Sequence, residues 1–142
     1  MLTAEDLMTA QPVAVPVTAR VRDAVEILQT LEIRHLPVVN KDQELLGMLS
    51  DRDLRALSVP QLVDDEWMGN LQTALDARVS SLMTGDVLSV DVSAGAEKIV
   101  ELMLTYKIGA VPVVDAEGKL AGIVSYVDLL RQLPLDVADD GA

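Results

Sequence analysis

A glycine, a serine and an aspartate recur at one spacing in two places, as Gly47, Ser50 and Asp53 and again as Gly122, Ser125 and Asp128. Each serine stands where an apolar, β-forming run gives way to a helical pattern. Two kinds of chemistry suit such a triplet. The hydroxyl can accept a backbone N–H at the head of a helix while the acid three residues on favours the positive helix end, which is capping and nothing more. The same hydroxyl beside unsatisfied N–H groups also suits a phosphate, and a carboxylate one turn away can accept both hydroxyls of a ribose. The glycine either lets a flat base or sugar approach the strand or marks tight strand packing. Taken alone, the motif leaves capping and nucleotide binding both open.

Other reactive constellations are scarce. The chain has no cysteine and one histidine, His35, so neither a Cys/His nucleophile pair nor a multi-histidine metal site can be built. No run of acids has coordination spacing, and Asp53 and Asp128 are better explained as ribose acceptors than as an acid–base pair. An enzyme, a catalytic residue, a metal site and a required cofactor are therefore not expected. A net charge of −12 without a clustered Lys/Arg stripe disfavours nucleic acid and anionic lipid as partners. A small anionic ligand stays compatible, because local donors outweigh a field screened beyond about 8 Å. No apolar run approaches the roughly 20 residues of a membrane span, and acids stand near Met1 where a secretory signal would carry base. A soluble, cytoplasmic protein outside the membrane is expected, in keeping with the lack of cysteine.

The elements that position the triplets come in two copies 75 positions apart, with 18 of the 48 positions between 7 and 54 identical to their partners. Each copy opens on Leu-Met-Thr (Leu7 to Thr9, Leu82 to Thr84), in short lead-in helices at 5–8 and 79–83. Brief extended pieces follow at 13–15 and 87–90. Thr18 and Ser93 are expected N-caps for amphipathic helices through Val21, Ala24, Val25 and Leu28 and through Ala96, Ile99, Val100 and Met103. Runs at 36–39 and 111–114 pair with second strands across polar turns, at 40–44 and 115–119. Gly118 suits a positive φ, whereas Gln43 at the matching place predicts a different turn. A last helix runs from Ser50 to about 57 and from Ser125 to about 133. Each copy thus reads β-α-β-β-α, an α+β fold built of α/β layers, the copies facing each other about a pseudo-twofold axis. Met8, Met83 and Met103 face the core as gap-fillers.

The division expected is 1–57 for the first repeat, 58–78 for an insertion, 79–133 for the second repeat and 134–142 for an acidic tail. The insertion holds Pro60, Asp64, Asp65, Glu66 and the sole tryptophan, with one or two helical turns through Leu71, Ala74 and Leu75. Trp67 packs over its own domain or serves as a lid or partner contact that responds to ligand.

The lead-in Leu-Met-Thr, the hydrophobic-Pro-Val-Val strand and the Gly-x-x-Ser-x-x-Asp turn, in order in both copies, resemble the cystathionine β-synthase (CBS) domain family. The resemblance is closest to its stand-alone tandem pairs, over 7–57 and 79–133. It implies a regulatory module that binds an adenosine nucleotide (AMP, ADP or ATP) or S-adenosylmethionine between the repeats, commonly as a homodimer that signals to an effector protein. Position by position, it implies that Asp53 holds ribose hydroxyls and Ser50 bonds phosphate, with Arg34 and His35 beside the phosphates. Thr84, Val87, Ser89, Ile108 and Gly109 would form the base pocket. The second cleft would use Ser125 and Asp128 with Thr9, Pro12, Ala14 and Ile33. Gly109 and Ala110 replace Arg34 and His35 there, so the Asp53 cleft is expected to be the stronger site. Arg52 either approaches the phosphates or faces solvent. A ligand-independent dimerisation and interaction module is the alternative; it needs the apolar hairpins but no serine or aspartate at the turns.

Overall fold

The apolar Pro-Val-Val runs form the central strands of two small sheets, each with a proline-containing strand covered by a helix on one face. The computed structural model describes residues 2–55 and 65–133, and for 55 and 65–68 the backbone alone. In chain order the elements are α1 (Ala4–Leu7), β1 (Thr9–Ala10), β2 (Val15–Pro16), α2 (Val21–Leu31), β3 (His35–Val39), β4 (Leu45–Ser50) and α3 (Asp51–Arg55). Then come α4 (Asp65–Asp76), a 3-10 turn (Val79–Ser81), β5 (Thr84–Gly85), β6 (Val90–Asp91), α5 (Ala96–Tyr106), β7 (Ala110–Val114), β8 (Leu120–Ser125) and α6 (Tyr126–Leu130). The Trp67 side chain, Pro60, Asp64 and the acidic tail from Pro134 lie outside the described residues, and so do the expectations placed on them.

The strand orders are β2-β3-β4-β5 and β1-β8-β7-β6. Each sheet therefore takes an edge strand from the other copy. Thr9 and Ala10 pair with Ile123 and Gly122, while Thr84 and Gly85 pair with Met48 and Gly47. The lead-in helices go with these strands: Ala4 and Leu7 of α1 are buried among Val90, Ile99, Met103, Val111 and Val124, and Val79 is buried among Val15, Leu28, Leu36 and Leu49. Fully burying an aliphatic side chain contributes about 1.5–3 kcal/mol, so each lead-in ties its copy to the other's core. The two sequence repeats thus interlock. Two bonds at the hairpin tips, Leu45 N–H to Gly118 O at 3.3 Å and Leu120 N–H to Gln43 O at 2.9 Å, exchange under the offset of 75 and mark the pseudo-twofold axis.

Three local expectations are corrected. The main helices start at Val21 and Ala96 with Arg20 and Gly95 at the N-cap positions, not Thr18 and Ser93. Ser93 instead bonds back to Asp91, its N–H reaching Oδ2 at 3.0 Å, while the Asp23 carboxylate accepts the Arg20 N–H at 3.1 Å. The hairpin turns are alike after all: Gln43 adopts φ 66° where Gly118 has 82°. A shared side-chain brace explains it. Asn40 Oδ1 accepts the N–H groups of Asp42 and Glu44, as Asp115 Oδ1 accepts those of Glu117 and Lys119, which holds both turns in one form. Finally, the insertion holds a helix of 12 residues, longer than one or two turns. It packs on α2, with the Arg22 guanidinium on the Asp76 carboxylate and the Val21 N–H donating to Ala77 O at 2.8 Å.

Candidate functional site

At the end of β4, Ser50 and Asp53 bond reciprocally: the Ser50 N–H and Oγ donate to Asp53 Oδ2 at 2.8 and 3.0 Å, and the Asp53 N–H donates to Ser50 Oγ at 3.2 Å. Ser125 and Asp128 repeat this at 2.8, 3.1 and 3.3 Å. Both triplets are thus capping boxes. In each, one carboxylate oxygen, Oδ2, serves the cap. Asp53 Oδ1 takes no bond among the described residues, whereas Asp128 Oδ1 lies 3.9 Å from Arg131 Nη1.

The glycines serve packing rather than ligand approach. A Cβ on Gly47 would stand 2.5 Å from Met83 Sδ and 2.9 Å from Thr84 O, and one on Gly122 would stand 2.7 Å from Met8 Cγ. The exchanged lead-in methionines fill the space that a side chain would need, and Met8, Met83 and Met103 all pack against the cores.

Beside the first cap lies a cavity of about 730 Å³ between the repeats, within the size range of small-molecule sites. Arg34, His35, Ser50 and Asp53 line it from the first copy, and Thr84, Val87, Ile108 and Gly109 from the second. The topology accounts for this meeting. β5 pairs with β4, which carries Thr84 and Val87 to the sheet that ends in Ser50, and the turn from α5 into β7 supplies Ile108 and Gly109. Ser89 is not on this wall. It lines a neighbouring cavity of about 360 Å³ with Leu45, Leu46 and Val114, because the chain has by then turned into β6. Thr9, Pro12, Ala14, Ile33, Ser125 and Asp128 line neither cavity.

Arg52, undecided in the sequence, lines the large cavity, as do Asp86, Tyr106, Lys107 and Tyr126. Lys107 and Asp86 both have positive φ, at 55° and 49°. Lys107 is the left-handed C-cap of α5, and such caps lie at turns that the amphipathic pattern does not reach. Only their adjacency to Ile108 and Val87 pointed to them. His35 stands against Gly109, its Cε1 3.6 Å from where a Cβ there would lie, with Tyr126 Cδ1 equally near. Burial, seconded by Arg34, holds the His35 pKa below its ordinary 6.5, and Asp51 and Asp53 oppose the shift. The cleft thus joins cations, a half-free carboxylate and an apolar wall, which suits a ligand with a flat apolar part and an anionic part.

The family model of the CBS domain matches residues 4–59 and 79–135, and the chain belongs to that family as a tandem pair. CBSX2 of Arabidopsis thaliana, solved in complex with AMP, is 33% identical with a TM-score of 0.78, over 92% of this chain and 95% of that one. The cytosolic domain of the Mg2+ channel MgtE, solved in complex with ATP, is 31% identical with a TM-score of 0.73, over 92% of this chain and 48% of that one. Inosine-5′-monophosphate dehydrogenase of Aquifex aeolicus is 28% identical over 129 residues, which are 90% of this chain and 24% of that protein. The chain spans about a quarter of such an enzyme, the part where the CBS match lies. Among the described residues no group of three or more His, Asp or Glu is placed to hold a metal ion, and no helix is long and apolar enough to cross a membrane.

Proposed function

We propose that the chain is a regulatory module, not an enzyme, that senses an adenosine nucleotide or S-adenosylmethionine in the cleft beside Asp53. The observation that carries the reading is the 730 Å³ cavity, where Ser50, Asp53, Arg34 and His35 of one repeat face Thr84, Val87, Ile108 and Gly109 of the other. A molecule that touches both repeats shifts their relative packing by its differential affinity for the two arrangements. AMP and ATP in the related structures support this ligand class. The Asp128 cleft is the weaker site, since Gly109 and Ala110 stand where the first has Arg34 and His35.

A homodimer, a separate effector protein and a cytoplasmic setting belong to the same proposal. Supporting the dimer, Val100 and Leu104 on α5 and Val127 and Leu130 on α6 are exposed, Leu104 at 74%. The same residues favour the second reading, a dimerisation module without a ligand. Isothermal titration of the folded, nucleotide-free chain with AMP, ADP, ATP and S-adenosylmethionine separates the two. Saturable heat with the nucleotides is expected; none with any of the four would leave Ser50 and Asp53 as a helix cap and the dimerisation reading standing.

A further inference from the structure

Three cations line the large cavity from three separate elements: Arg34 from the turn before β3, Arg52 from the first turn of α3, and Lys107 from the C-cap of α5. None of them is paired with a carboxylate among the described residues. The positions 75 residues away hold Gly109, Val127 and Glu32, so none of the three charges belongs to the shared framework of the repeat. The offset residue for Lys107 even reverses the sign.

Resting on the nucleotide reading of this cleft, the geometry points to a ligand with a chain of phosphates, a nucleoside triphosphate ahead of a diphosphate and a monophosphate, with Lys107 as the residue that discriminates between them. A single phosphate beside Ser50 needs only the donors of Arg34 and His35. Cations on two further elements extend the positive charge of the lining beyond that group, where additional phosphoryl groups would meet it. Asp51, Asp53 and Asp86 also line the cavity and balance the cations in number, so the discrimination comes from placement rather than from net charge.

The chain itself supplies the test substitution. Lys107 has φ 55° and Glu32, at the matching helix end of the first repeat, has φ 54°. A glutamate thus already occupies that left-handed cap, and Lys107→Glu reverses the charge without asking the backbone for a new conformation. Asparagine tolerates this region as well, which makes Lys107→Asn a neutral second variant.

The full chain is titrated with AMP, ADP and ATP at one ionic strength. ATP is expected to bind about tenfold or more tightly than AMP, as one further charge-assisted contact would give. In Lys107→Glu the affinity for ATP should fall by at least about tenfold while that for AMP moves less than about threefold, with Lys107→Asn between. Equal affinity for the three nucleotides, or an equal loss of AMP and ATP in Lys107→Glu, would overturn the inference and leave the nucleotide site intact. Absence of binding by all three would instead overturn the nucleotide reading itself, and the inference with it.

Discussion

Met83 Sδ occupies the space that a side chain at Gly47 would need, 2.5 Å from the position of its Cβ. The thioether can move, but Thr84 O, 2.9 Å from the same point, belongs to the paired backbone of β5 and cannot. Gly47→Ala should therefore destabilise the fold by about 1–3 kcal/mol, the usual cost of overpacking. Gly109→Ala meets only ordinary contacts near 3.6 Å and should stay within about 0.5 kcal/mol of the parent, as a change away from strained or crowded sites does. Urea midpoints at constant slope measure both. Equal stability of the two variants would contradict the packing role of Gly47.

The two helix caps should weigh alike in stability and unlike in binding. Ser50→Ala and Ser125→Ala each remove a reciprocal cap worth about 1 kcal/mol. Thermal unfolding should show similar losses. Nucleotide affinity should fall in Ser50→Ala and change little in Ser125→Ala, because only Ser50 lines the large cavity.

The turns offer a matched pair. Gln43 and Gly118 sit in equivalent places with φ 66° and 82°. Gly118→Ala should cost about 1–2 kcal/mol, the penalty of a left-handed residue that bears a Cβ. Gln43→Gly relieves that penalty but loosens the unfolded chain, so its net effect should be below about 1 kcal/mol. Chemical denaturation of the two variants checks the contrast.

His35 makes stability depend on pH. Burial first and Arg34 second hold its folded pKa below 6.5, against the pull of Asp51 and Asp53. The unfolded chain then takes up the proton more readily than the folded one, so stability is complete above 6.5 and declines as pH falls through that value toward the folded pKa. His35→Gln should flatten this part of the stability profile. A phosphate beside His35 works the other way, favouring the imidazolium. Nucleotide binding near pH 6 should accordingly take up protons, seen as a binding heat that changes with the ionisation enthalpy of the buffer.

Much of this architecture is written locally. The Pro-Val-Val hairpins and the Ser/Asp caps depend on neighbouring residues, and the 75-residue repeat shows each of them twice, so pattern and composition reveal them. The exchanged edge strands do not. Thr9–Ala10 and Thr84–Gly85 are two residues long, too short for any period, and their partners lie far along the chain. That exchange decides what the glycines are for, since the methionine beside Gly47 arrives from the other copy. It also explains why Thr84 and Val87 reach the Ser50 cleft while Ser89, past the turn, serves a neighbouring cavity. Lys107 was hidden for a different reason: a helix end marks a boundary, and its left-handed φ, rather than its place in a pattern, brings it to the cleft.

The most direct test of the central claim compares Asp53→Ala with Asp128→Ala in titration calorimetry with ATP and AMP. Both substitutions remove the same kind of capping carboxylate, so each controls for the other's effect on folding. Binding abolished or strongly weakened in Asp53→Ala and nearly unchanged in Asp128→Ala is the result expected of a nucleotide sensor that works through its first cleft. Equal losses in the two variants, or two equally tight sites in the parent chain, would contradict it.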